Sequence, residues 1–216
     1  MSSILKQQKR KTLFVIFLFL FSYSGFAQIE EDVLRFELGF GLNQAFNNGY
    51  PETFSSKGLN LPTINVGAQY MFTEQLGAKF DLGFNRLKGE GSTDDFKINY
   101  TRLNLQGVYD YTHIVGLHEV KKLKFQAHAG PGFSFVRPMS IPYNNDQNFF
   151  NAIIGSEFLY RLNQNSSVFF DVSYIHGFTS PDSYLYPSEG LGAFNGSILT
   201  FTIGISLSLS GCYYCN

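Results

Sequence analysis

The sequence predicts an all-β protein: a closed eight-stranded antiparallel up-and-down transmembrane β-barrel that follows a cleaved signal peptide. Three observations predict this class. Residues 1–27 have the build of a secretion signal, eight later segments alternate apolar and polar residues, and the connections between those segments vary in length in a regular rhythm. Transmembrane barrels combine these features because each strand has one lipid-facing side and one interior side.

Residues 1–27 are predicted to be the signal peptide and residues 28–216 the barrel domain. A basic head that ends at Lys11 precedes an unbroken apolar run from Leu13 to Phe21. Gly25 and Ala27 supply the small residues of a cleavage site. The apolar run is shorter than the ~20 residues that a membrane anchor needs, so the sequence favours cleavage.

Removing the signal peptide leaves an acidic chain. Residues 1–27 hold four of the 16 basic residues and none of the 17 acidic ones, so the rest carries 12 basic and 17 acidic residues, a net charge of −5. This balance, without a basic run, argues against nucleic acid as a partner. The 24 Phe and 13 Tyr suit either a soluble β core or a barrel with aromatic residues outside.

Alternation at every second position predicts the strands, since successive side chains of a strand point to opposite faces. The alternating segments cover residues 36–43, 64–72, 76–85, 102–111, 123–135, 151–162, 168–177 and 199–209. In the last of them, Leu199, Phe201 and Ile203 alternate with Thr200 and Thr202. A soluble β-sandwich would alternate in the same way, so the strands alone do not decide the class.

The connections favour the barrel. They are long at about 44–60, 86–97, 138–149 and 179–196, short at 73–75 and 163–166, and intermediate at 112–121. Transmembrane barrels have short periplasmic turns and longer exterior loops. The intermediate connection contains Ile114, Val115 and Leu117, which suits a short interfacial helix or an extension of the fourth strand.

The two faces of the strands are expected to have different surroundings. An outward Lys or Arg near the bilayer midplane costs about 2–4 kcal/mol, so the apolar series should face lipid and the mixed series should line the interior. The predicted charge network of the lumen consists of Arg35, Glu37, Lys79, Asp81, Arg102, His128, Glu157, Arg161 and Asp171. Lys124 and Asp110, near strand ends, are expected either there or in solvent. Side chains just fill an eight-stranded barrel, so we expect a plugged lumen.

Three segments carry a resemblance to a known family. They read QAHAGPGFSF at 126–135, IGSEFLYRL at 154–162 and FDVSYIHGF at 170–178. In this respect the chain resembles the outer-membrane β-barrel family of the Bacteroidetes known as PorT-like or porin-family proteins. The resemblance implies an integral barrel of the cell outer membrane, and some members of that family are similar to components of protein-secretion and gliding machinery.

The sequence is therefore compatible with three functions. The first is a non-enzymatic barrel whose exterior loops contact protein partners, as an accessory to secretion or envelope integrity. The second is a lipid-modifying hydrolase, and the third is a small solute channel. A hydrolase would need a His, Ser and acid set, for which the candidates are His128 with Ser134 and Glu157, or His176 with Ser173 and Asp171. Against it, residue 176 has the parity of the lipid face and His128 lies mid-barrel.

The remaining motifs predict no cofactor and no metal. Cys212 and Cys215 are expected to form a local disulfide or to stay idle, because no second ligand pair lies near them in the sequence. Asp94 and Asp95 are expected in a solvated exterior turn. The expected partners are membrane lipid and proteins that bind the exterior loops, and the expected state is a monomer.

Overall fold

Eight antiparallel strands form a closed barrel in the computed structural model, which describes residues 34–46, 56–89, 97–116, 122–139, 146–163, 165–178 and 196–209. The strands are β1 Leu34–Ala45, β2 Asn60–Met71, β3 Leu76–Lys88, β4 Lys97–Asp110, β5 Leu123–Pro138, β6 Gln147–Arg161, β7 Ser166–Phe178 and β8 Ile198–Ser208. Each strand pairs with the next in the chain, and β1 pairs with β8. The predicted up-and-down barrel is confirmed.

The apolar series faces outward, as the alternation predicts. Leu38 is 61% exposed, while Arg35 and Glu37 on the other parity are buried. The same arrangement recurs around the barrel, with Ile203 and Leu105 exposed on the outside. A continuous apolar exterior is unfavourable in contact with water but not in contact with hydrocarbon. Within the described residues, no helix has the length and apolar character to cross a membrane.

One end of the barrel carries the short connections and is called here the short-connection end. The turns there are closed by backbone hydrogen bonds, from Phe72 N–H to Leu76 O at 2.8 Å and from Leu162 N–H to Ser166 O at 2.9 Å. Residues 112–116 form turns, so neither the interfacial helix nor the strand extension is found in the described part of that connection. Gly116 has a φ of +72°, a conformation that glycine adopts without strain.

The opposite end is called the long-connection end, and the strands reach further toward it than the alternation indicated. β3 continues to Lys88, β4 begins at Lys97, and β5 continues to Pro138. These strand ends fall in segments that the sequence assigned to connections. The signal peptide, Asp94, Asp95, Cys212, Cys215 and most of the predicted exterior loops lie outside the described residues.

The interior has two parts. A polar and charged network fills the middle and extends toward the short-connection end. An apolar layer lies at the long-connection end; it consists of Ala45, Leu87, Ile98, Tyr100, Val136, Phe149, Ile153, Ile175 and Ile198. Seven of the eight strands contribute to this layer.

Candidate functional site in the barrel interior

The centre of the lumen is a buried ion cluster around Lys79. Its ammonium group forms ion pairs with the carboxylates of Glu37 and Glu157, the latter at 2.8 Å. Arg35 lies 3.9 Å from Glu37 and donates to Gln126 Oε1 at 2.7 Å. All five side chains are buried and come from β1, β3, β5 and β6. The cluster therefore connects strands across the barrel, including strands that are not neighbours in the sheet.

His128 lies beside this cluster and bridges two further strands. Its Nε2 is 2.7 Å from Asp171 Oδ2, and its Nδ1 is 2.5 Å from Gln106 Oε1. Ser173 donates to Asp171 Oδ1 at 2.6 Å. A buried carboxylate needs hydrogen-bond partners, and His128 and Ser173 supply one to each oxygen of Asp171.

Gly155 makes room for the imidazole. A Cβ built at this position would lie 2.5 Å from both His128 Cε1 and Ser173 Oγ. Real Cβ atoms do not approach neighbours so closely, and therefore a glycine at 155 lets the histidine lie against β6. A glycine within a strand often marks a close approach by another group, and Gly155 does so here by relieving crowding in a narrow barrel.

A second ion pair joins β3 and β4. Arg102 is fully buried, with its Nη1 3.1 Å from Asp81 Oδ2, and its Nη2 donates to Asn65 Oδ1 at 3.3 Å. The guanidinium lies on Gly83, where a Cβ would overlap it. A chain of neutral polar groups continues from Asn104 through Asn151 and Ser134 to the hydroxyl of Tyr100, with contacts of 2.6 to 2.7 Å.

The Lys79 cluster, the His128–Asp171 pair and the Arg102–Asp81 pair together contain eight of the nine residues that were expected in the lumen network. The ninth, Arg161, is half-buried on the same face of β6 as Glu157 but four residues nearer the short-connection end, about 13 Å along the strand. Asp110, the last residue of β4, is buried, and the hydroxyl of Thr112 donates to its Oδ1 at 2.6 Å. Lys124 is half-buried.

Neither nominated hydrolase set is assembled. Ser134 contacts Tyr100 and Asn151 rather than His128, and His176 lies on the outer face with its Nδ1 3.0 Å from Ser197 Oγ. Ser173 does meet Asp171, yet it donates to the acid. A nucleophilic serine is activated when its hydroxyl hydrogen-bonds to the base, and the acid then orients the base. The order Ser, Asp, His found here does not provide that activation.

The packing leaves little free space around the cluster. The cavity bordered by Glu37, Lys79, Arg102, His128 and Asp171 has a volume of about 10 Å³. That is about the smallest space that holds a single water molecule. Within the described ranges, no group of three or more His, Cys, Asp or Glu side chains is placed to bind a metal ion.

The apolar layer was not predicted. The inward series was expected to be polar or mixed, whereas Ile153 and Ile175 point inward and are buried. Phe149 is also buried and points inward, in a segment that was expected to be a connection. A signal was present, because these residues form apolar doublets with their outward neighbours. The doublets are Phe135-Val136, Phe149-Phe150, Ile153-Ile154, Tyr174-Ile175 and Ile198-Leu199. Two successive apolar residues in a strand indicate that both faces are apolar at that level.

The fold matches solved outer-membrane proteins at low sequence identity. A major outer membrane protein from Thermus thermophilus superposes with a TM-score of 0.54 at 14% identity, covering 81% of this chain and 98% of that one. Neisserial surface protein A gives a TM-score of 0.52 at 11% identity, covering 82% and 96%. The N-terminal β-barrel domain of Pseudomonas aeruginosa OprF gives 0.51 at 10%, covering 82% and 97%. No family model and no curated protein matches the sequence.

A closed barrel with an apolar exterior, in the fold shared by these structures, defines the class: the chain is an outer-membrane β-barrel protein. At such identities the likeness establishes the fold and not the role. The resemblance to the PorT-like family of the Bacteroidetes stays a prediction, since no family model matches.

Proposed function

We propose that this chain is a non-enzymatic integral barrel with a sealed lumen, which acts through its exterior loops as an accessory to secretion or envelope integrity. The observation that carries the proposal is the packed interior, where the space among the central charges amounts to about 10 Å³. If solute cannot pass through the interior, the barrel can act only through its loops and its lipid-facing surface.

Two different obstacles to permeation support the sealed lumen. An ion entering from the short-connection end would meet Lys79 already paired with two carboxylates, so it would have to displace an existing ion pair. Beyond the cluster it would meet the apolar layer, including Phe149 and Ile153, which offers no replacement for its hydration shell. Hydrophobic constrictions of this kind also close pores by dewetting.

The non-enzymatic part of the proposal is supported by the placement of the histidines. His128 is buried among lumen side chains, away from any lipid substrate. His176 faces outward, and no acid is among its hydrogen-bond partners in the described part of the chain. Substituting both with Gln and analysing lipid A by mass spectrometry tests this part. Unchanged lipid in cells with the native and substituted proteins agrees with the proposal, and a modification lost only in the substituted protein overturns it.

Electrical recording tests the sealed lumen. The purified chain is first shown to be folded by its shifted gel mobility without boiling, and it is then inserted into planar bilayers next to an open porin as the positive control. We expect insertion without conductance steps. Reproducible single-channel steps from the folded chain would refute the sealed lumen and favour the solute channel instead. Recovery of the chain in the periplasmic fraction would contradict membrane integration altogether.

A further inference from the structure

A group of basic side chains lies on the outer surface of the barrel at the long-connection end. It consists of Arg86 and Lys88 on β3, Lys97 on β4 and Arg137 on β5, all of which have the outward parity, and it is called here the basic rim patch. Arg86, Lys88 and Lys97 were expected in the long connection at 86–97. The structure instead fixes them on adjacent strands, at the lipid-facing side of the sheet.

The register shows where the patch lies relative to the apolar exterior. Leu82, Leu103 and Phe133 form one outward row across β3, β4 and β5. Two residues further along, the corresponding row is Phe84, Thr101 and Phe135, and the next one is Arg86, Asn99 and Arg137. Successive rows are about 7 Å apart. The surface thus changes from apolar to mixed to basic over about 13 Å, as it should where lipid chains give way to headgroups.

A groove of about 550 Å³ opens between the mixed and basic rows. Phe84 and Phe135 line its apolar side, Asn99 and Thr101 supply polar groups, and Arg137 forms part of its wall. Such a groove suits a molecule with a polar anionic head and an apolar tail better than it suits a free ion, because one side of its lining is aromatic.

Contacts with neighbouring side chains orient both Arg86, beside the groove, and Arg137, in its wall. Arg86 donates from Nε to Asn99 Oδ1 at 3.0 Å, and its guanidinium carbon is 5.8 Å from the centre of the Phe84 ring. Arg137 is 74% exposed and its Nε lies 3.0 Å from Asp146 Oδ2. Arg86 also donates from Nη2 to Met139 Sδ at 3.7 Å. A guanidinium has five N–H donors, so these contacts leave further donors on both arginines.

The residues in register with the patch add no negative charge to it. Lys88 lies directly opposite Lys97 across the β3–β4 pair, and like charges at such positions are destabilising. Asp146 is the one acid among the described residues that line the groove. Counting described residues only, two arginines lie beside a single carboxylate at the level of the headgroups, and this balance makes the surface complementary to an anion. Arginine is well suited to phosphate, since its planar group forms two parallel hydrogen bonds to it.

We propose that the basic rim patch binds the phosphorylated headgroup of a lipid in the leaflet at the long-connection end, with an acyl chain along Phe84 and Leu82. This inference rests on the proposed function as an integral barrel. Arg86 and Arg137 hold the phosphate, and the aromatic side of the groove receives the apolar part of the lipid. The site would give the barrel a fixed lipid neighbour at one position on its circumference.

Native mass spectrometry of the full chain, released from nanodiscs of phosphatidylcholine with a minor share of lipid A, tests the proposal. We expect the native protein to retain lipid A at least about tenfold more than its dephosphorylated form. Combining Arg86→Gln with Arg137→Gln should lower that preference by about tenfold or more, as the loss of charge-assisted hydrogen bonds does. The control Lys122→Gln removes one exposed positive charge at the short-connection end and should leave the preference unchanged.

Three results would overturn the proposal. The first is equal retention of lipid A and its dephosphorylated form. The second is an unchanged preference for lipid A in the double variant. The third is displacement of the bound lipid by inorganic phosphate at millimolar concentration. The last result would identify a site for a free anion. Each variant is first checked for heat-modifiable gel mobility, and Arg137→Gln alone replaces the double variant if that one does not fold. A native chain that fails to insert would count against the proposed function rather than against this site.

Discussion

Replacing Lys79 with Met removes the cation at the centre of the lumen and leaves two buried carboxylates. Glu157 lies 2.8 Å from the ammonium group, and Glu37 forms the second ion pair. At an effective dielectric constant of ~20, one such pair corresponds to about 6 kcal/mol of gross Coulomb energy. Most of this offsets desolvation, and the net loss on deleting one partner of a buried pair is about 3–5 kcal/mol. We therefore expect Lys79→Met to lower the free energy of unfolding by about 3–5 kcal/mol.

Urea unfolding of the protein in lipid vesicles measures this effect. Because the chain has no Trp, far-UV circular dichroism and gel mobility without boiling follow the folded fraction. Lys122→Met is the matched control, since Lys122 is an exposed lysine at the short-connection end and its replacement should change stability by less than about 0.5 kcal/mol.

A second substitution separates electrostatics from side-chain size. Adding Glu157→Gln to Lys79→Met removes one of the two stranded carboxylates, while Arg35 remains 3.9 Å from Glu37. The double variant should therefore recover about 1–2 kcal/mol relative to Lys79→Met alone, as coupled neighbours do. If Lys79→Met costs no more than Lys122→Met, or if the second substitution destabilises further, the ion cluster does not hold the strands together as described.

Three further predictions address packing, the lipid face and the polar chain. Gly155→Ala should destabilise the barrel by about 1–3 kcal/mol because its Cβ collides with His128, whereas Gly107→Ala, with its nearest neighbour at 3.9 Å, should be tolerated; equal urea midpoints would contradict this. Leu38→Arg should cost about 2–4 kcal/mol in vesicles if this outward residue meets hydrocarbon, and a loss below about 0.5 kcal/mol would argue for water there. Tyr100→Phe removes a buried hydroxyl contact of 2.6 Å and should cost about 0.5–1.5 kcal/mol in the same assay, while no change would show that contact to be dispensable.

The fold was predictable because a membrane barrel constrains every strand in the same way. Outward positions such as Leu38 and Ile203 must suit hydrocarbon, and inward positions such as Glu37 and Thr202 must suit a polar interior, so parity alone assigns each residue to a face. The rhythm of connection lengths then separates the barrel from a sandwich. Parity does not give the strand ends, and Lys88 and Lys97 were accordingly placed in a loop although both lie in strands.

The pairing inside the lumen could not be derived from the sequence. His128 has the inward parity, but so do Ser134, Glu157 and Asp171, and the choice among them depends on how far the strands are staggered around the barrel. The structure pairs His128 with Asp171, two strands away, because Gly155 on the intervening strand has no side chain to separate them. A glycine within a strand ordinarily indicates a locally weakened strand. The sequence does not show which side chain of a neighbouring strand packs against it.

The polar network and the apolar layer each block the lumen, so we expect ion conductance only when side chains are removed from both. Replacing Phe149 and Ile153 with Ala removes bulk from the apolar layer but leaves Lys79 paired with Glu157 below it. Replacing Lys79 and Glu157 with Ala removes the central ion pair but leaves the apolar layer in place. Each double variant keeps one obstacle, so neither should conduct in planar bilayers. The quadruple variant, if folded by gel mobility, should show conductance steps, because both obstacles are reduced in the same lumen. Conductance in either double variant would mean that a single part seals the barrel, and silence in the folded quadruple variant would place the seal elsewhere.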